Sequence, residues 1–135
     1  MDDELQEIRE EKIESLKETD ANEADSASAA PGEPIHVEDK GHLQQLVADN
    51  GVVLVDFYAD WCGPCKMLEP IVETLAAETS AAVAKVDVDV HQQLAAEFGV
   101  RGVPTVVIYS DGEAVEQFAG VRGEDELRGL IQQYA

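Results

Sequence analysis

Val52 to Ala59 reads VVLVDFYA, a run of apolar and aromatic residues broken only by Asp56. A strand with one wet face alternates polar and apolar side chains. A strand apolar at both parities is covered on both sides. That asks for helices on two faces of a sheet. The strand leads into Trp61-Cys62-Gly63-Pro64-Cys65, and an apolar helical pattern follows. These are the chain's 2 cysteines. With Cys62 at a helix start and Cys65 one turn in, both sulfurs point to the same side, close enough to bridge. A C-x-x-C between strand and helix reads as a redox-active dithiol. The competing reading is a structural or metal half-site. Tetrahedral zinc takes four ligands, and His36, His42 and His91 lie at unrelated spacings, so we expect no metal.

The 135 residues are enough for one domain with a tail. Residues 2–18 carry Leu5, Ile8, Ile13 and Leu16 as a thin helical stripe, read as a solvated helix or disordered arm, or as a docking helix. Residues 19–34 are rich in Ala, Ser, Asp, Glu, Pro and Gly and bury too little apolar surface to offset ordering. We therefore divide the chain into an acidic extension and linker, 1–34, and a folded domain, 35–135. In the domain, Ile35–Val37 is a short strand and Asp39 caps a helix running to about Asp49 with Leu43, Leu46 and Val47 inward. Cys62 to Glu78 is a helix bent at Pro70, with Met67, Leu68, Ile71, Val72 and Leu75 inward. Ala82–Val88 is a strand, and His91–Phe98 a helix stopped by Gly99. Thr105–Tyr109 and Ala114–Phe118 form a hairpin across Ser110-Asp111-Gly112. Glu124–Tyr134 closes the chain as a helix. The order β-α-β-α-β-α-β-β-α predicts a central mixed sheet flanked by helices on both faces, the α/β class.

Charge narrows the function. There are 29 acidic against 9 basic residues, a net charge of -20. Such a chain does not bind nucleic acid or an anionic membrane unaided. The excess serves solubility or, more sharply, life in high salt, where screening shortens the reach of self-repulsion. No apolar run approaches the roughly 18 residues of a membrane-spanning helix. The start MDDELQE has neither the basic region nor the apolar core of a secretory signal. We expect a cytoplasmic protein, and in that reducing compartment a lone cysteine pair points to catalysis or metal binding rather than a staple.

At WCGPC the chain resembles the thioredoxin family. The resemblance covers roughly residues 35–135 and rests on VDFYADWCGPCK, Pro70, the AKVDVD stretch at 84–89, RGVPT at 101–105, and the DGE hairpin with the later Gly120. It implies the thioredoxin fold, with the bond before Pro104 cis. It also implies a monomeric protein-disulfide reductase with no bound cofactor, its electrons supplied indirectly by a thioredoxin reductase. Implied clients are disulfide-cycling proteins such as ribonucleotide reductase, peroxiredoxin and methionine sulfoxide reductase. Together with the acidity it suggests a halophilic archaeal source. One departure is Tyr58, where the family often has a second Trp. We expect it to alter packing and fluorescence rather than activity.

Residue roles follow. Cys62 is the expected nucleophile, exposed ahead of the helix. A free cysteine ionises near pH ~8.5, and the unpaired N–H groups and dipole of a helix start favour its thiolate. Cys65, more buried, is the resolving thiol. Gly63 and Pro64 set the spacing of the sulfurs, and Pro64 suits a first helical turn. Asp56, polar inside a buried strand, carries a desolvation penalty and a raised pKa. The resemblance makes it the acid/base for Cys65, with Lys85, otherwise an ordinary surface lysine, approaching to tune it. Lys66 either lends positive potential or is solvated. Trp61, Gly63, Pro64, Val103, Pro104, Gly120 and Val121 are expected to surround the sulfur with a small apolar client-binding patch, where Val103 pairs its backbone with an extended substrate. Two other readings keep the fold: a scaffold subunit in which redox is dispensable, and a disulfide isomerase or oxidase.

Overall fold

The computed structural model describes residues 32–135, together with one short pairing of Lys12–Ile13 with Ser15–Leu16. The helical stripe expected over residues 2–18 and most of the acidic extension fall outside the described residues.

The elements are β1 (Ile35–His36), α1 (Lys40–Asp49), β2 (Val52–Tyr58), α2 (Gly63–Glu78), β3 (Ala82–Asp87), α3 (Gln92–Glu97), β4 (Thr105–Ser110), β5 (Glu113–Ala119) and α4 (Glu124–Tyr134). The sheet order is β1-β3-β2-β4-β5. The first three strands run parallel, and β4 and β5 continue the sheet antiparallel. The central strand β2 is the run that is apolar at both parities. Its odd-numbered residues Val53, Val55 and Phe57 pack with Leu43 of α1 and Leu94 of α3. Val52 and Leu54 face the other way, onto Leu68, Val72 and Leu75 of α2 and Leu127 and Ile131 of α4. A sheet with a helical layer on each face is the arrangement that doubly apolar strand requires.

Local chemistry sets the boundaries. Asp39 caps α1, its carboxylate accepting from the His42 N–H at 2.8 Å. Asp111 and Gly112 form the two-residue turn of the β4–β5 hairpin, with φ 51° and 87°. Positive φ at both positions is what a tight hairpin turn matching the strand twist needs, and Asp-Gly supplies it. α2 runs on through Pro70 to Glu78.

One core assignment is corrected. Met67 is 65% exposed. The buried stripe of α2 is Cys65, Leu68, Val72, Leu75 and Ala76. Met67 precedes Leu68 by one residue and so lies about 100° around the axis from it.

Candidate active site

β2 ends at Tyr58, and α2 begins at Gly63 with Cys62 as its N-cap. Cys62 and Cys65 form a disulfide with their Cα atoms 5.2 Å apart. The cap is the sulfur itself: the Cys65 N–H donates to Cys62 Sγ at 3.1 Å. Pro64 occupies the first turn, where its missing N–H leaves no bond unmade. The thiolate form of Cys62 would thus sit beside that donor at the positive end of a sixteen-residue helix.

The expectation of an exposed Cys62 beside a buried Cys65 does not hold. Cys62 is 4% exposed and Cys65 5%. Both pack with Ala59 under Tyr58, Val88 and Val103. Cys62 Sγ lies 3.6 Å from the Val103 carbonyl oxygen. The loop before Pro104 covers the sulfur, and that cover comes from a segment 41 residues away.

The Val103–Pro104 bond is cis. Pro104 is buried, and its carbonyl accepts from the Gly120 N–H at 2.8 Å. Gly120 has φ 93°, a backbone that side-chain-bearing residues rarely adopt. Val103 packs against the cysteines, and Gly120 is tied to Pro104, which follows Val103. Val121 follows Gly120 but packs half-buried against the α2–α4 core cluster rather than the sulfur cluster. Gly63 and Pro64 are exposed.

Trp61 is 70% exposed beside the pair. It is fixed by Asp89, whose Oδ2 accepts from the indole N–H at 2.8 Å. Sequence reasoning missed Asp89, which stands 28 positions away with no local signal. Asp89→Ala is expected to free the ring and lower its steady-state fluorescence anisotropy, with the far-ultraviolet circular dichroism unchanged. An unchanged anisotropy would mean that the indole is held by something else.

Asp56, on β2 two residues before Tyr58, is 1% exposed. Among the described residues neither of its oxygens has a hydrogen-bond partner. Burial pushes its pKa from 3.8 to about 6, the positive charge of Lys85 opposing the rise and Glu69 adding to it. Lys85 is not the surface lysine anticipated. It is 6% exposed, because it is paired on one side with His36 of β1 and on the other with Asp56 of β2. A cleft of about 120 Å3, lined among others by Cys65, Tyr58, Glu69 and Lys85, opens beside it. Glu69 was also missed, although its position four residues after Cys65 places both on one helix face. Lys66, next to Cys65, is exposed on the cleft rim.

Among the described residues no cluster of three or more His, Cys, Asp or Glu side chains could hold a metal ion. No helix among them is long and apolar enough to cross a membrane. The chemistry available is two-electron exchange between a dithiol and a disulfide at a helix start.

The thioredoxin family profile matches residues 33–133. The chain belongs to the thioredoxin family. A thioredoxin of Chlamydia caviae is 44% identical over 86 residues, which is 63% of this chain and 84% of that protein. A bifunctional thioredoxin reductase/thioredoxin of Mycobacterium leprae is 37% identical over 117 residues, 85% of this chain and 26% of that one. Among solved structures, a mutant thioredoxin from Halobacterium salinarum NRC-1 superposes with a TM-score of 0.76 at 58% identity, covering 78% of this chain and 94% of that chain. The mixed sheet carries the pair at the start of a helix, and Cys62–Cys65 is the redox pair of a thiol–disulfide oxidoreductase.

Proposed function

We propose that this chain reduces disulfides in cytoplasmic client proteins. The Cys62 thiolate attacks a client disulfide, forming a mixed disulfide and releasing one client thiolate. Cys65 loses its proton to Asp56 and attacks Cys62 Sγ, releasing the second client thiolate and leaving the Cys62–Cys65 disulfide. A thioredoxin reductase then returns two electrons. The observation that carries this reading is the Cys65 N–H bonded to Cys62 Sγ at the α2 N-terminus, because it stabilises the attacking thiolate. The relative in Mycobacterium leprae, whose name couples a reductase with a thioredoxin, supports the donor.

Trp61 and Val103 would receive the client as an extended segment beside the sulfur, with Gly63, Pro64, Pro104, Gly120 and Val121 shaping the rim. Ribonucleotide reductase, peroxiredoxin and methionine sulfoxide reductase fit as clients. The domain of residues 35–135 acts as a monomer, with residues 1–34 as an acidic extension. The net charge of -20 and the relative in Halobacterium salinarum support a halophilic archaeal source.

The test is the equilibrium reduction potential of the pair, followed by Trp61 emission at low and multi-molar salt. We expect a value near the family's, about -270 mV, in high salt, with folding lost as salt is removed and the acidic residues repel one another unscreened. A value between about -120 and -180 mV would instead assign oxidation or isomerisation.

A further inference from the structure

The side chains that face α2 from the sheet form a line that the family chemistry leaves partly unassigned. His36, Lys85 and Asp56 are successive partners across β1, β3 and β2. Side chains alternate along a strand, so Tyr58, two residues after Asp56, stands on the same face. Its ring lies against Lys85, with the ammonium nitrogen 4.3 Å from the ring centroid. Its hydroxyl lies 3.4 Å from His36 Nδ1. Among the described residues no carboxylate reaches ion-pair distance of Lys85. The group in contact with this nearly buried cation is therefore the aromatic face, which attracts it through the ring quadrupole and more strongly when water is excluded.

We propose that Tyr58 is a positioning residue: its ring, held at the hydroxyl end by His36, keeps the Lys85 ammonium beside Asp56 and thereby sets the pH at which Asp56 takes up a proton. The other charged groups around the cleft are Asp60 and Lys66 on its rim, Glu69 from α2, and Asp87 at the end of β3. The Tyr58 phenol is itself pushed up, by burial first and then by Asp87, Asp60, Asp56 and Glu69. The ring therefore stays neutral, with its face available to a cation. A lysine has four rotatable side-chain bonds and reaches solvent readily when released. Without the ring, Lys85 turns away and Asp56 loses a nearby positive charge that favours its ionised form.

The inference rests on Asp56 as the proton acceptor of Cys65, but it is read on the Asp56 carboxyl itself. Carbon-13 NMR of that carboxyl, titrated in the full chain at one fixed salt concentration, gives the midpoint whether or not the group takes part in turnover. Tyr58→Leu is expected to move the midpoint up by about half to one pH unit. In a Lys85→Met background the same substitution should not raise it. The sign decides between roles. A ring that merely shields Asp56 from water would, when removed, let the midpoint fall. A fall, no change, or an equal rise in both backgrounds overturns the proposal. Tyr58→Trp keeps the test alive if Tyr58→Leu does not fold. It retains the aromatic face, so the midpoint should stay at or below that of the parent chain, and a rise would count against the proposal.

Discussion

Asp56→Asn is expected to make the protein more stable and slower at the same time. The aspartate is 1% exposed, and its pKa rises from 3.8 to about 6 on folding. Between those two pH values the folded chain binds more protons than the unfolded one, so stability falls as pH rises through the interval. Below pH 3.8 the group is neutral in both states and contributes no penalty. Above the folded value it is ionised in both, and the penalty is complete at about 3 kcal/mol, since each pH unit of difference is worth ~1.4 kcal/mol. Asparagine carries no charge at any of these pH values. The stability difference between variant and parent should therefore be near zero at low pH, grow through the interval, and level off near that figure at pH 8. Chemical denaturation at matched salt measures it. Client reduction should meanwhile slow by about a hundredfold, the lower range for loss of a positioned general base. A variant that gains stability but keeps its rate would leave Asp56 a buried charge with no catalytic role.

The second large effect concerns the cysteines. Cys65→Ser is expected to halt the cycle halfway. Cys62 still attacks a client disulfide, but no thiol is present to resolve it, and the mixed disulfide accumulates as a covalent complex on a non-reducing gel. Cys62→Ser should give neither turnover nor complex. It should still fold, because serine is a favoured N-cap and its hydroxyl takes the place of the sulfur that caps α2. A Cys62→Ser protein that retained full biological function without reducing clients would return the protein to the scaffold reading.

The parts of this molecule legible in the sequence are those fixed by neighbours along the chain. The doubly apolar β2, the Asp39 cap, the Asp-Gly hairpin and the cysteine spacing each depend on a few adjacent residues. Burial at the site did not follow from such local cues. Cys62 is covered by the loop at Val103, and Lys85 is enclosed because β1 pairs outside β3. Neither residue's flanking sequence carries information about a segment that folds over it. Trp61 shows the same limit: its exposure follows from its place before the nucleophile, but its anchor, Asp89, belongs to the loop after β3. Met67 failed for a smaller reason, a one-residue offset on a helix whose apolar positions are dense.

The sulfur cap of α2 also ties two apparently separate properties together. The N–H of Cys65 meets Cys62 Sγ in the disulfide. In the dithiol form the same N–H would meet an anionic thiolate, and a hydrogen bond to a charged acceptor is roughly twice as strong as a neutral one. A thermodynamic cycle therefore links the opening of the first helical turn to the transfer of electrons. Whatever tightens that turn around the thiolate holds the dithiol form more firmly and makes the protein a weaker donor. Whatever loosens it makes electrons easier to give up. Selection on the residues of one helical turn can thus adjust how readily the protein passes electrons to its clients, with both sulfur atoms left in place.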